Sequence, residues 1–186
     1  MKLMEKIFSF SKEKQTAHKL YHAIVQQARQ PVFYEDLGVV DSVDGRFDMI
    51  ILHMILVMRR LKDDVDMSRK VSQALFDYMF DDIDLNLREM GIGDMGVPKR
   101  IKKRAKAFYG RLDSYDMGLN NGENDDLKAA LARNLFREGD AKPENLEIIA
   151  KYMRLESERL DKTDISSLIN GDLTFGSPPP LQLTQE

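Results

Sequence analysis

The sequence contains no cysteine. That absence excludes disulfides, thiolate metal sites, iron-sulfur clusters, thioether-linked haem and cysteine nucleophiles together, and it suits a reducing compartment. Long hydrophobic runs are missing too. The longest, Met49 to Met58, is broken by His53 and falls well short of the roughly 18 to 20 apolar residues that cross a bilayer. The opening MKLMEKIFSF carries a charge every few positions and offers neither an apolar h-region nor a small-residue cleavage site, so neither export nor an anchor is expected. No stretch alternates apolar and polar residues between hairpin turns, so strands are not expected.

What is present is helical periodicity. With 186 residues and 42% hydrophobic content, the chain has the material for one core and one domain. The pattern predicts an all-α, single-domain helical bundle of about six helices over residues 1–163, followed by a flexible tail over 164–186. The first helix covers about Lys14 to Gln30 and stops at Pro31. The second runs from about Phe47 to Leu61 after an Asp44-Gly45 turn; it is apolar nearly all round and is expected at the centre. A third, about Met67 to Met90, turns Phe76, Met79, Phe80, Ile83, Leu87 and Met90 inward and meets Gly91 at its end. A fourth, about Val97 to Leu119, opens with Pro98 and repeats Val97, Ile101, Ala105, Phe108, Leu112 and Tyr115. The fifth spans about Asp125 to Arg137, and the sixth opens at Pro143. Past Thr163 the pattern fades into GSPPPLQLTQE, whose apolar content does not offset its ordering entropy.

Net charge is −3, but the charges are segregated. Six acids against one arginine lie between Asp77 and Asp94, and seven basic residues with no acid lie between Lys99 and Arg111. On a helical wheel Lys99, Lys102, Lys103 and Lys106 fall opposite the apolar stripe, whereas Arg100, Arg104 and Arg111 border it. The arginines are placed to reach the acidic edge of helix three. The lysines are either a plain solvated face or a surface for ribosomal RNA, anionic lipid or an acidic partner. These seven residues are the candidate partner-binding set, and no DNA partner is expected. The eleven methionines fit core packing and also an adaptable apolar surface.

Short motifs suggest chemistry only weakly. Gly91 to Gly96 spells GxGxxG with Lys99 and Arg100 behind it, but a helix precedes it where a dinucleotide site needs a strand. Asp77, Asp81 and Asp84 share one helix edge, the basis for a metal-dependent helical enzyme as an alternative function. His18 and His22 stand one turn apart without a third ligand or an HExxH glutamate. His53, on the buried helix, reads as a hydrogen-bonded core residue. No catalytic residue, cofactor site or metal site is therefore assigned. A general RNA-binding module on the basic helix is the other alternative.

Longer strings carry more. Tyr34 through Gly45-Arg46-Phe47-Asp48, then Leu52-His53, then Leu87-Arg88-Glu89-Met90-Gly91-Ile92-Gly93-Asp94, Val97-Pro98-Lys99-Arg100 and Phe108-Tyr109-Gly110-Arg111 together resemble the ubiquinol-cytochrome c chaperone family, over roughly Ala17 to Arg137. The resemblance implies a non-catalytic helical protein that binds newly made cytochrome b and helps its haem-loaded form enter the bc1 complex. In mitochondrial relatives it implies a place near the ribosomal exit tunnel with a small helical partner. Without a presequence or anchor, the chain looks like a bacterial member, expected in the cytoplasm and peripheral at the inner membrane face.

Overall fold

The computed structural model describes residues 2–91, 96–137 and 139–178. These form eight helices: α1 (Lys2–Ala28), α2 (Val32–Glu35), α3 (Val43–Lys62), α4 (Val65–Glu89), α5 (Val97–Asn120), α6 (Asp125–Asn134), α7 (Pro143–Asp161) and α8 (Ile165–Asn170). The all-α expectation is met, and no strand occurs among the described residues. No described helix is long and apolar enough to cross a membrane.

Helix α3 is the axis of the bundle. Every residue from Phe47 to Val57 is buried, as a helix apolar all round requires. Helices α1, α4, α5, α7 and α8 all touch it. It starts earlier than the sequence suggests: Ser42, extended at φ −117° and ψ 168°, accepts a hydrogen bond from the Gly45 amide at 3.0 Å. That N-cap draws Asp44 and Gly45 into the first turn instead of leaving them as a loop. Gly45 is required there because a Cβ would sit 2.0 Å from the Val40 carbonyl oxygen.

The other helices are arranged in pairs. Helix α4 lies along α1, and α5 folds back on α6, where a Cβ at Gly118 would come within 2.8 Å of the Leu127 Cα. The end of α5 is held from α7 by Arg154. Its guanidinium donates to the carbonyls of Gly118 (2.9 Å) and Leu119 (3.1 Å), which the helix end leaves unpaired, and to those of Asn121 (2.7 Å) and Glu123 (2.8 Å) in the loop that follows.

The tail expected from residue 164 does not begin there. Asp164 caps α8 by accepting from the Ser166 amide at 3.0 Å, Ile165 and Leu168 are buried, and Gly171 ends the helix at φ +87°. An extended segment follows. Phe175 places its ring 5.2 Å from His53, and Gly176 donates its amide to both Glu156 carboxylate oxygens at 3.0 Å while its carbonyl accepts from Gln27 at 3.0 Å. The Phe175 ring and the hydrogen bonds of the Gly176 backbone hold a segment that carries no helical period. The remainder of the expected tail, residues 179–186, lies outside the described residues.

His53 is the polar centre of this core, with no exposed surface. Its Nδ1 donates to the Met49 carbonyl at 2.8 Å, so Nε2 accepts from the Tyr152 hydroxyl at 2.8 Å, which in turn accepts from Gln27 at 2.8 Å. Burial pulls the His53 pKa down to about 4. An unfolded histidine binds its proton near pH 6.5, so the folded state loses stability as pH falls from about 6.5 to 4, in total on the order of 3 kcal/mol. A His53→Gln variant should therefore be less stable at pH 7 yet show a flatter stability profile over that interval. Urea titrations at successive pH values measure both; an unchanged acid-side slope would remove His53 as the source.

Candidate partner-binding interface

The seven cations of the basic helix separate into two populations. Lys99, Arg100, Lys102, Lys103 and Lys106 are exposed along α5. Arg104 is half-buried, and Arg111 is only 5% exposed. The expected pairing of Arg104 and Arg111 with the acidic edge of α4 does not occur. Arg104 instead binds Asp44 at 3.0 Å, and Arg111 binds Asp48 at 2.8 Å. Because α3 begins at Val43, Asp44 and Asp48 stand one turn apart on the same face, and that face meets α5.

A third arginine completes the cluster. Arg137, beyond the end of α6, reaches Asp44 at 3.2 Å and Asp48 at 3.1 Å. Arg104 also lies over the Phe47 ring, 4.3 Å from its centroid, where the ring face attracts a cation. Burial outweighs the pull of Arg111 and Arg137 and leaves the Asp48 carboxyl raised to about 6, so it is mostly ionised at neutral pH. Arg111 Nη1 donates to the Ala107 carbonyl at 3.2 Å, but its Nε has no partner among the described residues.

Two adjoining cavities open on this cluster. One, about 280 Å³, is lined by Asp44, Asp48, Arg100, Lys103, Arg111 and Arg137 among others. Its neighbour, about 210 Å³, is apolar at the base, with Phe47, Ile50, Ile83 and Leu87, and carries Val43 and Met90 at its margin. Phe47 and Arg104 belong to both. Met90 was expected inside, yet it is 55% exposed, because α4 ends at Glu89 and leaves this side chain past its last turn.

The remaining candidate sites do not assemble. Asp77 accepts from Gln73 at 2.8 Å and Asp84 pairs with Arg88 at 2.5 Å, so two of the three edge acids are engaged within α4; the adjacent Asp82 accepts from Tyr21 of α1 at 2.8 Å. His18 packs edge-on to Tyr78 with ring centroids 5.6 Å apart. Among the described residues no three histidine or acidic side chains are grouped to hold a metal ion. Of the glycine-rich link, Gly91 closes α4 at φ +79°, while Ile92 to Met95 lie outside the described residues. What sequence reasoning missed is the arginine cluster's true counter-charge. Its signal was the spacing of Asp44 and Asp48, visible only once Ser42 is recognised as the cap.

Comparison with known proteins adds independent information. The model of the family described as ubiquinol-cytochrome C chaperone matches residues 35–175. The chain is 25% identical over 158 residues to the Xenopus laevis ubiquinol-cytochrome-c reductase complex assembly factor 1, covering 85% of this chain and 78% of that protein. Against the Mus musculus protein of the same description it is 24% identical over 162 residues, covering 87% of this chain and 55% of that one. The chain thus spans about half the length of that mammalian relative. The crystal structure of the Cbp3 homolog from Brucella abortus superimposes with a TM-score of 0.83 at 33% identity, over 95% of this chain and 97% of that one.

Removing one member of a buried ion pair leaves the other uncompensated. Asp48→Ala and Arg111→Ala should each destabilise the fold by about 3–5 kcal/mol, whereas the exposed Lys102→Ala should stay within about 0.5 kcal/mol. Pairing Asp48→Leu with Arg111→Met should cost less than the two single changes summed. Urea unfolding followed by circular dichroism reads all of these; additive losses would show that the two residues are not coupled.

Proposed function

The chain belongs to the ubiquinol-cytochrome c chaperone family, and from that premise we propose that it is an assembly chaperone that binds newly made cytochrome b and promotes its incorporation into the ubiquinol-cytochrome c reductase (bc1) complex. The match of the family model across residues 35–175 carries this reading. The described surface supports it: cations and apolar side chains lie side by side at the α3, α4 and α5 junction, an arrangement suited to holding another polypeptide. In this reading the protein acts by binding and releasing its client, without a reaction of its own.

The exposed lysines of α5 give it a second surface. Lys99, Lys102, Lys103 and Lys106 present four ammonium groups to solvent. We place this face against the anionic inner leaflet, where a membrane subunit is inserted, with the protein peripheral and cytoplasmic. Each lysine near such a surface contributes about 1 kcal/mol at physiological salt. Ribosomal RNA and a small helical partner are the further candidates for the same cations.

Two experiments check the proposal. A tagged chain should co-purify cytochrome b from detergent-solubilised cells, and a deletion strain should lack assembled bc1 complex; a normal complex in that strain would refute the assignment. Replacing Lys99, Lys102, Lys103 and Lys106 by glutamate should leave the circular dichroism spectrum unchanged and lower co-sedimentation with anionic-lipid vesicles by at least about tenfold. Unaltered sedimentation would mean the lysine face serves only solubility.

A further inference from the structure

We propose that the two adjoining cavities at the α3, α4 and α5 junction form one docking groove for an apolar polypeptide segment that bears carboxylate side chains. This rests on the reading of the chain as a protein-binding chaperone and assigns the place and chemistry of its contact.

Among the described residues the apolar half is an uncovered surface with a formed base. Phe47, Ile50, Ile83 and Leu87 are buried beneath it, while Val43 at 52% and Met90 at 55% exposure stand at its margin. Exposed large apolar side chains flanking a formed depression mark an interaction surface more than solitary ones do. Methionine at the edge adds a side chain that adapts to different occupants.

The charge of the groove selects the occupant. Seven cations and three carboxylates, Asp44, Asp48 and Asp82, line the two cavities, and one of the cations, Arg46, is paired with Asp41 at 2.5 Å. Asp44 and Asp48 are already bound by Arg104, Arg111 and Arg137, and Asp82 accepts from Tyr21. Among the described residues positive charge is therefore left over at the mouth, where Arg100 and Lys103 are exposed, and in the apolar half, where Arg29 is exposed. Behind the mouth the Arg111 guanidinium is held by Asp48 and its Nε has no partner among the described residues, a fixed source of positive potential. Arg104 and Phe47 join the halves, so a segment lying on the apolar base brings its polar positions directly over the cations.

Chemistry separates a polypeptide from other anions. The cavities measure about 280 and 210 Å³ and differ in character, one lined by charged groups and one apolar at its base, so an occupant of both must carry both kinds of group. A free phosphate would use the cations and leave the apolar half uncovered. A segment with leucine-like residues at helical spacing and glutamates between them fills both.

The probe is a fluorescent amphipathic peptide of leucine, alanine and glutamate, about 20 residues long so that it is helical in water, with a lysine-for-glutamate counterpart. The full chain should bind the glutamate peptide on the order of tenfold tighter than the lysine peptide at physiological salt. Val43→Glu with Met90→Glu should weaken binding by about tenfold, and Arg100→Glu with Lys103→Glu should abolish the preference. All substituted side chains are exposed, and matching thermal unfolding checks that the fold is retained. Equal affinity for the two peptides, or binding unaffected by Val43→Glu with Met90→Glu, would overturn the proposal. The same variants in the cytochrome b pull-down keep the two ideas apart: retention of cytochrome b by both groove variants sinks the groove alone, and no cytochrome b with the native chain sinks the assembly function alone.

Discussion

A helix buried on every side can carry a charge only if its neighbours bring the counter-charge to it. Helix α3 carries Asp48 in that position, and the whole α5 side of the bundle is organised around the need to neutralise it. Arg111 arrives from α5 and Arg137 from beyond α6, so two separate elements are locked to the central helix by one carboxylate. On the opposite side His53 makes the same demand in neutral form and draws in Tyr152 of α7 and Gln27 of α1. A purely apolar rod could be packed in several rotational settings. Two polar groups with fixed partners leave one.

This constraint explains why the cations of α5 are not equivalent. A guanidinium can satisfy a carboxylate with parallel donors and still stack on a ring, as Arg104 does over Phe47, whereas an ammonium is a compact, strongly hydrated point charge. The buried and half-buried positions of the helix accordingly hold arginine, and lysine stands outside. The structural pairing stops short of using up the positive charge, so the boundary between holding the fold together and meeting a partner runs through a single helix.

Much of this was legible in the residues. The apolar stripes of α4, α5 and α7, the proline at the start of α5 and of α7, and the unbroken burial of α3 follow from 3.6-residue periodicity and capping chemistry. The division of the α5 cations into a stripe border and an outward face was legible too, because it depends on angles within one helix. Their partners were not. Which neighbouring helix faces Arg111 is a tertiary fact, and the nearest acidic run in sequence, on α4, was a plausible but wrong choice. The start of α3 was hidden by an Asp-Gly pair that resembles a turn until Ser42 is seen to cap it. The C-terminal limit was hidden because α8 is a six-residue helix and the segment after it is held by backbone hydrogen bonds, neither of which leaves a periodic signature.

The backbone hydrogen bonds at Gly176 have a practical corollary. The segment that ends there rests Phe175 against the imidazole and occupies the Glu156 carboxylate, so it behaves as a lid stitched over the polar heart of the bundle. A shortened version cut where the helical pattern fades, at Thr163, would uncover that heart to water and strand an acidic group meant to be sheltered. Affinity tags and fusion partners therefore belong beyond residue 178, and any engineered chaperone derived from this scaffold must keep the unassuming stretch that looks most dispensable.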